Sequence, residues 1–159
     1  MFDTLYAQIG AAAGVLVVTF ALLKGDEPER VGAGAYALGS LAALLVQNDG
    51  RLVGPQWGLM AVETVMLAAY AALAWKSRRS WPIWASALQS VIVMSHVLTT
   101  ADVRPPIAAF YAVVNLTAYA ILLALALGVV RAWRDRRALG PALEPDRLRR
   151  NRFAIPPMP

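Results

Sequence analysis

Residues 105–134 read PPIAAFYAVVNLTAYAILLALALGVVRAWR, with no charged side chain between Arg104 and Arg131. A bilayer hydrocarbon core of about 30 Å needs roughly 20 helical residues. An uncharged run this long is therefore a membrane span, and it sets the solvent in which the rest of the chain is read. Four more runs of span length precede it, bounded by Asp3 and Lys24, Arg30 and Asp49, Pro55 and Trp75, and Trp81 and Thr100. The five expected helices cover approximately residues 4–23, 29–48, 55–76, 81–100 and 105–134.

Punctuation supports these limits. Pro28, Pro55, Pro82 and the Pro105–Pro106 pair stand at helix starts, where a missing N–H leaves no bond unmade. Gly50 and Gly54 mark a turn, and Ser80 is an N-cap candidate for the fourth helix. The first run follows Asp3 with no positive charge before it, unlike a signal peptide, so it is read as a retained helix. The expected fold is all-α, a polytopic membrane bundle of five transmembrane helices over residues 1–138. A basic, Pro-rich tail, 139–159, follows, with little fixed structure expected.

Charge orients the bundle. Of the 15 Lys and Arg, all but Arg51 and Arg104 fall in the first connection, the third connection or the C-terminal segment, three regions on one side. By the positive-inside rule that side is cytoplasmic, which puts the N-terminus outside and the C-terminus inside. The expected location is a bacterial inner membrane. Trp75, Trp81, Trp84 and Trp133 are expected at the inner interface and Trp57 at the outer one.

Composition narrows the chemistry. Hydrophobic residues make up 58% of the 159 and charged residues 16%, below the roughly 25% of soluble domains. With no cysteine, disulfides, thiol catalysis and thiolate-held metals are excluded. The single histidine, His96, excludes a multi-histidine metal site within one chain. No metal and no cofactor are expected. The net charge of +5 is read as topology and attraction to anionic lipid at the cytoplasmic face, not as nucleic-acid binding. Arg147, Arg149, Arg150 and Arg152 in the tail are candidates for lipid headgroups or a partner.

Each span carries polar residues at steps of 3, 4 or 7, which keeps them on one helix face. Such faces turn into a bundle and bond across helices. At ~1.5 Å per residue, Glu63 lies roughly 12 Å from the outer surface, His96 roughly 6 Å and Asn115 roughly 15 Å. The strong polar groups thus gather in the outer half, leaving the inner half to packing. Glu63 is the only acidic residue deep in a span, and an ionised carboxylate there costs at least ~2.5 kcal/mol. It needs a proton, water or a partner; His96, Arg104 and Arg51 are the partners considered. Candidate ligand-binding or proton-exchanging residues are Glu63, His96, Gln89, Asn115, Gln47, Gln56 and Tyr111.

No nucleophile elbow, HExxH or phosphate-binding loop is present. The leading expectation is a non-catalytic accessory or interaction subunit of a larger membrane assembly or homo-oligomer. The alternative is a binder or carrier of a proton, cation, quinone or lipid in an outer-half pocket. A lipid-acting enzyme using Glu63 and His96 as acid and base, or a holin-like pore, ranks behind both.

Overall fold

A computed structural model of the chain describes residues 5–46, 56–100 and 107–153, with side-chain surroundings for 8–46, 56–100 and 108–138. The described residues form five α-helices: α1 (Leu5–Lys24), α2 (Glu27–Val46), α3 (Trp57–Lys76), α4 (Trp81–Thr100) and α5 (Ile107–Phe153). Three of them contain stretches long and apolar enough to cross a membrane: Trp57–Lys76, Trp81–Thr100 and Ala108–Ala138. The described part of α1 is a shorter apolar helix, Gln8–Lys24. α5 does not stop at 138, where the sequence placed the end of the bundle, but continues as helix to Phe153. At 1.5 Å per residue, its 47 residues span roughly 70 Å.

The helices pack in chain order, α1 on α2, α2 on α3, α3 on α4 and α4 on α5, and α5 closes the ring against α1. α2 also touches α5 across the ring. Large apolar side chains face outward along the ring: Leu45 is 86% exposed, Trp75 92% and Leu116 72%. A soluble monomer does not display an apolar surface of this kind, whereas a lipid-facing bundle does.

Local chemistry sets the helix ends. Asp26 precedes α2 and Glu29 is its third residue, the spacing of a capping box. The Asp26 main-chain N–H donates to Glu29 Oε2 at 3.1 Å, and the Arg30 N–H donates to the Asp26 carbonyl at 3.0 Å, the first bond of the helix. α3 ends where Ser77 turns extended, at φ −95° and ψ 139°, its N–H donating to the Leu73 carbonyl. Proline sits in the first turn of both α2 (Pro28) and α4 (Pro82), where the ring is tolerated.

The two halves of the ring are built differently. Toward the end formed by the α1–α2 connection, the α3–α4 connection and the later part of α5, here the basic end, the core is solid. Ala21, Ala33, Tyr70, Trp81, Leu125 and Val129 are all buried there. Trp81 was expected at the interface with the other tryptophans; it is instead 4% exposed and fills the centre of this end. Its indole lies against Gly32 of α2 and Gly128 of α5, so close that a Cβ at either glycine would collide with the ring. Glycine at both places lets the helices close around it. Trp75 and Trp84 are exposed, as interfacial anchors are. Trp133 is half-buried, with Arg137 stacked 3.9 Å above its ring.

Candidate functional site

The other half of the ring is hollow. A cavity of about 570 Å³ opens there, lined by residues from all five helices, within the size range of small-molecule sites. Its wall is mostly apolar. α1 contributes Gly14 and Val18, α2 Leu41 and Leu44, α3 Met66, and α5 Val114 and Ile121. Polar groups converge on it from all five helices: Thr19 of α1, Tyr36 and Ser40 of α2, Glu63 of α3, Gln89 of α4, and Asn115 and Tyr119 of α5.

Glu63 and Gln89 form the centre of this polar set. Gln89 Nε2 donates to Glu63 Oε2 at 2.5 Å and to the Glu63 main-chain carbonyl at 3.2 Å. Glu63 is six residues from the start of α3 and Gln89 eight from the start of the antiparallel α4, so they meet near mid-bundle. Gln89 is 0% exposed, and its Oε1 has no hydrogen-bond partner. A buried amide oxygen left unpaired is costly, and this one belongs to a residue on the cavity wall. The Glu63 carboxyl is therefore the acidic acceptor of the wall, held by Gln89, whose own spare amide oxygen is sealed from solvent behind it.

Three of the residues singled out in the sequence, Glu63, Gln89 and Asn115, are thus brought together on one cavity. Of the others, His96, Tyr111 and Gln56 are not part of its lining. His96 is buried on α4 but packs edge-on against Phe110, with ring centroids 5.5 Å apart. It is seven residues beyond Gln89, roughly 10 Å further along the same helix, which places it past the level of Glu63. The Glu63–His96 couple considered from the sequence does not form; Gln89 takes that place. Tyr111 is 41% exposed and contacts the other side of this aromatic group, through Phe110. Gln56 lies at the start of α3, off the cavity. Gln47, Arg51 and Arg104 lie outside the described residues, as do the side chains of Arg147, Arg149, Arg150 and Arg152.

The polar stripe of α4 resolves into two kinds of residue. Ser86, Ser90, Ser95, Thr99 and Thr100 each donate to a carbonyl of their own helix, three or four residues back. Such side chains satisfy themselves and do not hold neighbouring helices. Within this stripe Gln89 is the side chain that hydrogen-bonds across to α3.

A second polar assembly, at the basic end, was not anticipated. Glu29 is 0% exposed, more deeply buried than Glu63. Trp81 Nε1 donates to Glu29 Oε1 at 2.9 Å, and Arg79 Nε stands 4.0 Å from the same oxygen. Arg79 also pairs with Asp26 at 2.7 Å and with Asp135 of α5 at 3.4 Å. Arg136 adds a contact to Asp26 at 3.2 Å and a bond to the Lys24 carbonyl. The inner half is therefore not packing alone. One cationic side chain, Arg79, ties the α1–α2 connection and α5 to the α3–α4 connection. Asp26-x-x-Glu29 is the sequence signal that marks part of it, a capping box ahead of an apolar run.

Compared with family models, with characterised proteins and with solved structures, the chain matches none. Function is therefore argued from the site itself.

Proposed function

We propose that this chain is a five-span membrane protein, N-terminus outside and basic end cytoplasmic, that binds a small amphiphile in its central cavity. The observation that carries the reading is the cavity of about 570 Å³ with the Glu63 carboxylate, the one acidic residue of its lining, on its wall. An apolar chamber with a few convergent polar groups is the usual form of a small-ligand site. Intramembrane carboxyl groups that face a cavity are functional by default. Because the one acidic group of the lining is the Glu63 carboxyl, the complementary head is a hydrogen-bond donor, either an ammonium or a hydroxyl, on an apolar body. The topology rests on the charge bias of the sequence, supported by the three basic regions gathering at one end of the ring.

The test uses the full chain in mild detergent and three probes of equal length: dodecylamine, dodecanol and dodecanoic acid. The amine and the alcohol are expected to bind and the acid to be rejected by the Glu63 carboxylate. Glu63→Gln is expected to weaken the amine by about tenfold, the scale of a charge-assisted bond, and the alcohol by less. Binding of all three alike, or of none, refutes the reading.

A second reading, a subunit of a larger assembly, is favoured by α5. It continues as helix to Phe153, roughly 30 Å past Arg134. Co-purification of a stoichiometric partner that is lost on truncation after Ala138 would support it.

A further inference from the structure

Outside the central cavity, a second hollow of about 440 Å³ opens on the lipid-facing side between α4 and α5 at the basic end. Its apolar wall is a stripe from each helix, Trp84 and Leu88 on α4 and Ala120, Leu123, Ala124 and Leu127 on α5. Three of them face outward, Trp84 at 66% exposed, Leu123 at 61% and Leu127 at 52%, while Leu88, Ala120 and Ala124 are half-buried as the floor. At its mouth stand Arg78, Arg79, Ser80 and Arg131, with Asp135 as the one carboxylate. Arg79 is already held by Asp26 and Asp135. Arg131 donates to the neutral Ser80 hydroxyl at 3.3 Å and, like Arg78, has no acidic partner among the described residues. The groove thus joins two uncompensated guanidinium groups to an apolar slot.

Its length matches a lipid. From Arg131 to Ala120 is eleven residues, roughly 16 Å of helix, against about 15 Å for one leaflet of hydrocarbon. We propose that this groove is a specific site for one anionic phospholipid, its phosphate held by Arg78, Arg131 and Ser80 and one acyl chain lying along Trp84, Leu123 and Leu127. The proposal rests on the membrane placement above and is independent of what the central cavity binds. It assigns lipid selectivity to the body of the bundle, not to the arginines of the C-terminal segment. Guanidinium forks suit phosphate oxygens, and an exposed indole at this level suits the headgroup boundary.

The experiment is native mass spectrometry of the full chain with palmitoyl-oleoyl phosphatidylglycerol and, separately, the matching phosphatidylcholine. One phosphatidylglycerol is expected to be retained per chain, bound on the order of tenfold more tightly than phosphatidylcholine, as two surface cations imply. Arg78→Gln with Arg131→Gln is expected to erase that preference; both side chains are exposed, so the fold is kept. Ala124→Phe, which fills the slot, is expected to weaken both lipids. Replacing Arg147, Arg149, Arg150 and Arg152 together by Gln is expected to leave the preference intact, and so is Glu63→Gln. Equal retention of the two lipids overturns the proposal. So does a preference that follows the tail arginines, or a lipid-free dimer that dissociates in the double variant. Failure of the membrane placement shows separately, as chain recovered outside the membrane fraction.

Discussion

Trp81 shows how much depends on single side chains here. Its indole N–H satisfies a carboxylate that has no exposure, and its ring fills the space that two glycines leave. Trp81→Phe keeps most of the ring but removes the donor. It is expected to cost about 1–3 kcal/mol, the penalty for a buried acceptor left short, read as lowered unfolding stability in micelles. Arg79→Gln is expected to cost about 3 kcal/mol: its pair with the part-exposed Asp26 is screened, but the fully buried Glu29 carboxylate loses its neighbouring cation. Gly128→Ala is expected to destabilise by steric conflict with the indole, and Trp81→Leu in the same chain to recover part of the loss. Strict additivity of those two changes would show that the ring and the glycine are not in contact. None of this was legible in the sequence. The interfacial preference of tryptophan is a statement about averages, and the partner of Trp81 lies 52 residues away. The Asp26–Glu29 box was visible as a pattern, but a pattern within four residues cannot show that its second carboxylate oxygen is needed elsewhere.

Helices were far more legible than contacts, for physical reasons. A span must exclude charge over its whole length, so its limits are written in the charges and prolines that flank it. Among the described residues α4 covers Trp81–Thr100 and α3 Trp57–Lys76, so Lys76 and Trp81 stand at helix ends. The polar face of α4 was legible as a face but not as a function. Periodicity places Ser86, Gln89, Ser90 and His96 on or near one side; it does not say which side chains close on their own backbone. Serine and threonine are short enough to do so, and here they do. Glutamine is long enough to cross to α3. Ser90→Ala is accordingly expected to change stability by less than about 0.5 kcal/mol. Gln89→Leu leaves the Glu63 carboxyl without its donor and is expected to cost about 1–3 kcal/mol. Adding Glu63→Leu is expected to restore most of that loss, since two apolar side chains need no bonds. The double variant should then fold well yet fail to bind dodecylamine. If it still binds, Glu63 and Gln89 are not the recognition groups.

At the scale of the whole molecule, the sequence implied a bundle with unlike halves, and the structure divides it differently. The inner half was expected to be packing and the outer half polar. The described residues instead show a solid, ion-paired basic end and a hollow beyond it, with Glu63 and Gln89 near the middle. The difference is one of sequence distance. Hydropathy reports how far each residue lies along its own helix, whereas a cavity exists only where five helices fail to fill the space between them. Orientation, by contrast, is a property of charge summed over the chain, and it yields a direct test. The chain has no cysteine, so single replacements give unambiguous labels. Lys76→Cys, exposed at the basic end, is expected to react with a membrane-impermeant maleimide only after the cells are permeabilised. Thr100→Cys, at the opposite end of α4, is expected to react in intact cells. The reverse pattern inverts the bundle, moving the arginine-lined groove to the other leaflet and the open half of the cavity toward the cytoplasm. Labelling of both positions in intact cells would mean that α4 does not cross the bilayer. In that case the cavity, which depends on α4 for Gln89, could not be the intramembrane site proposed here.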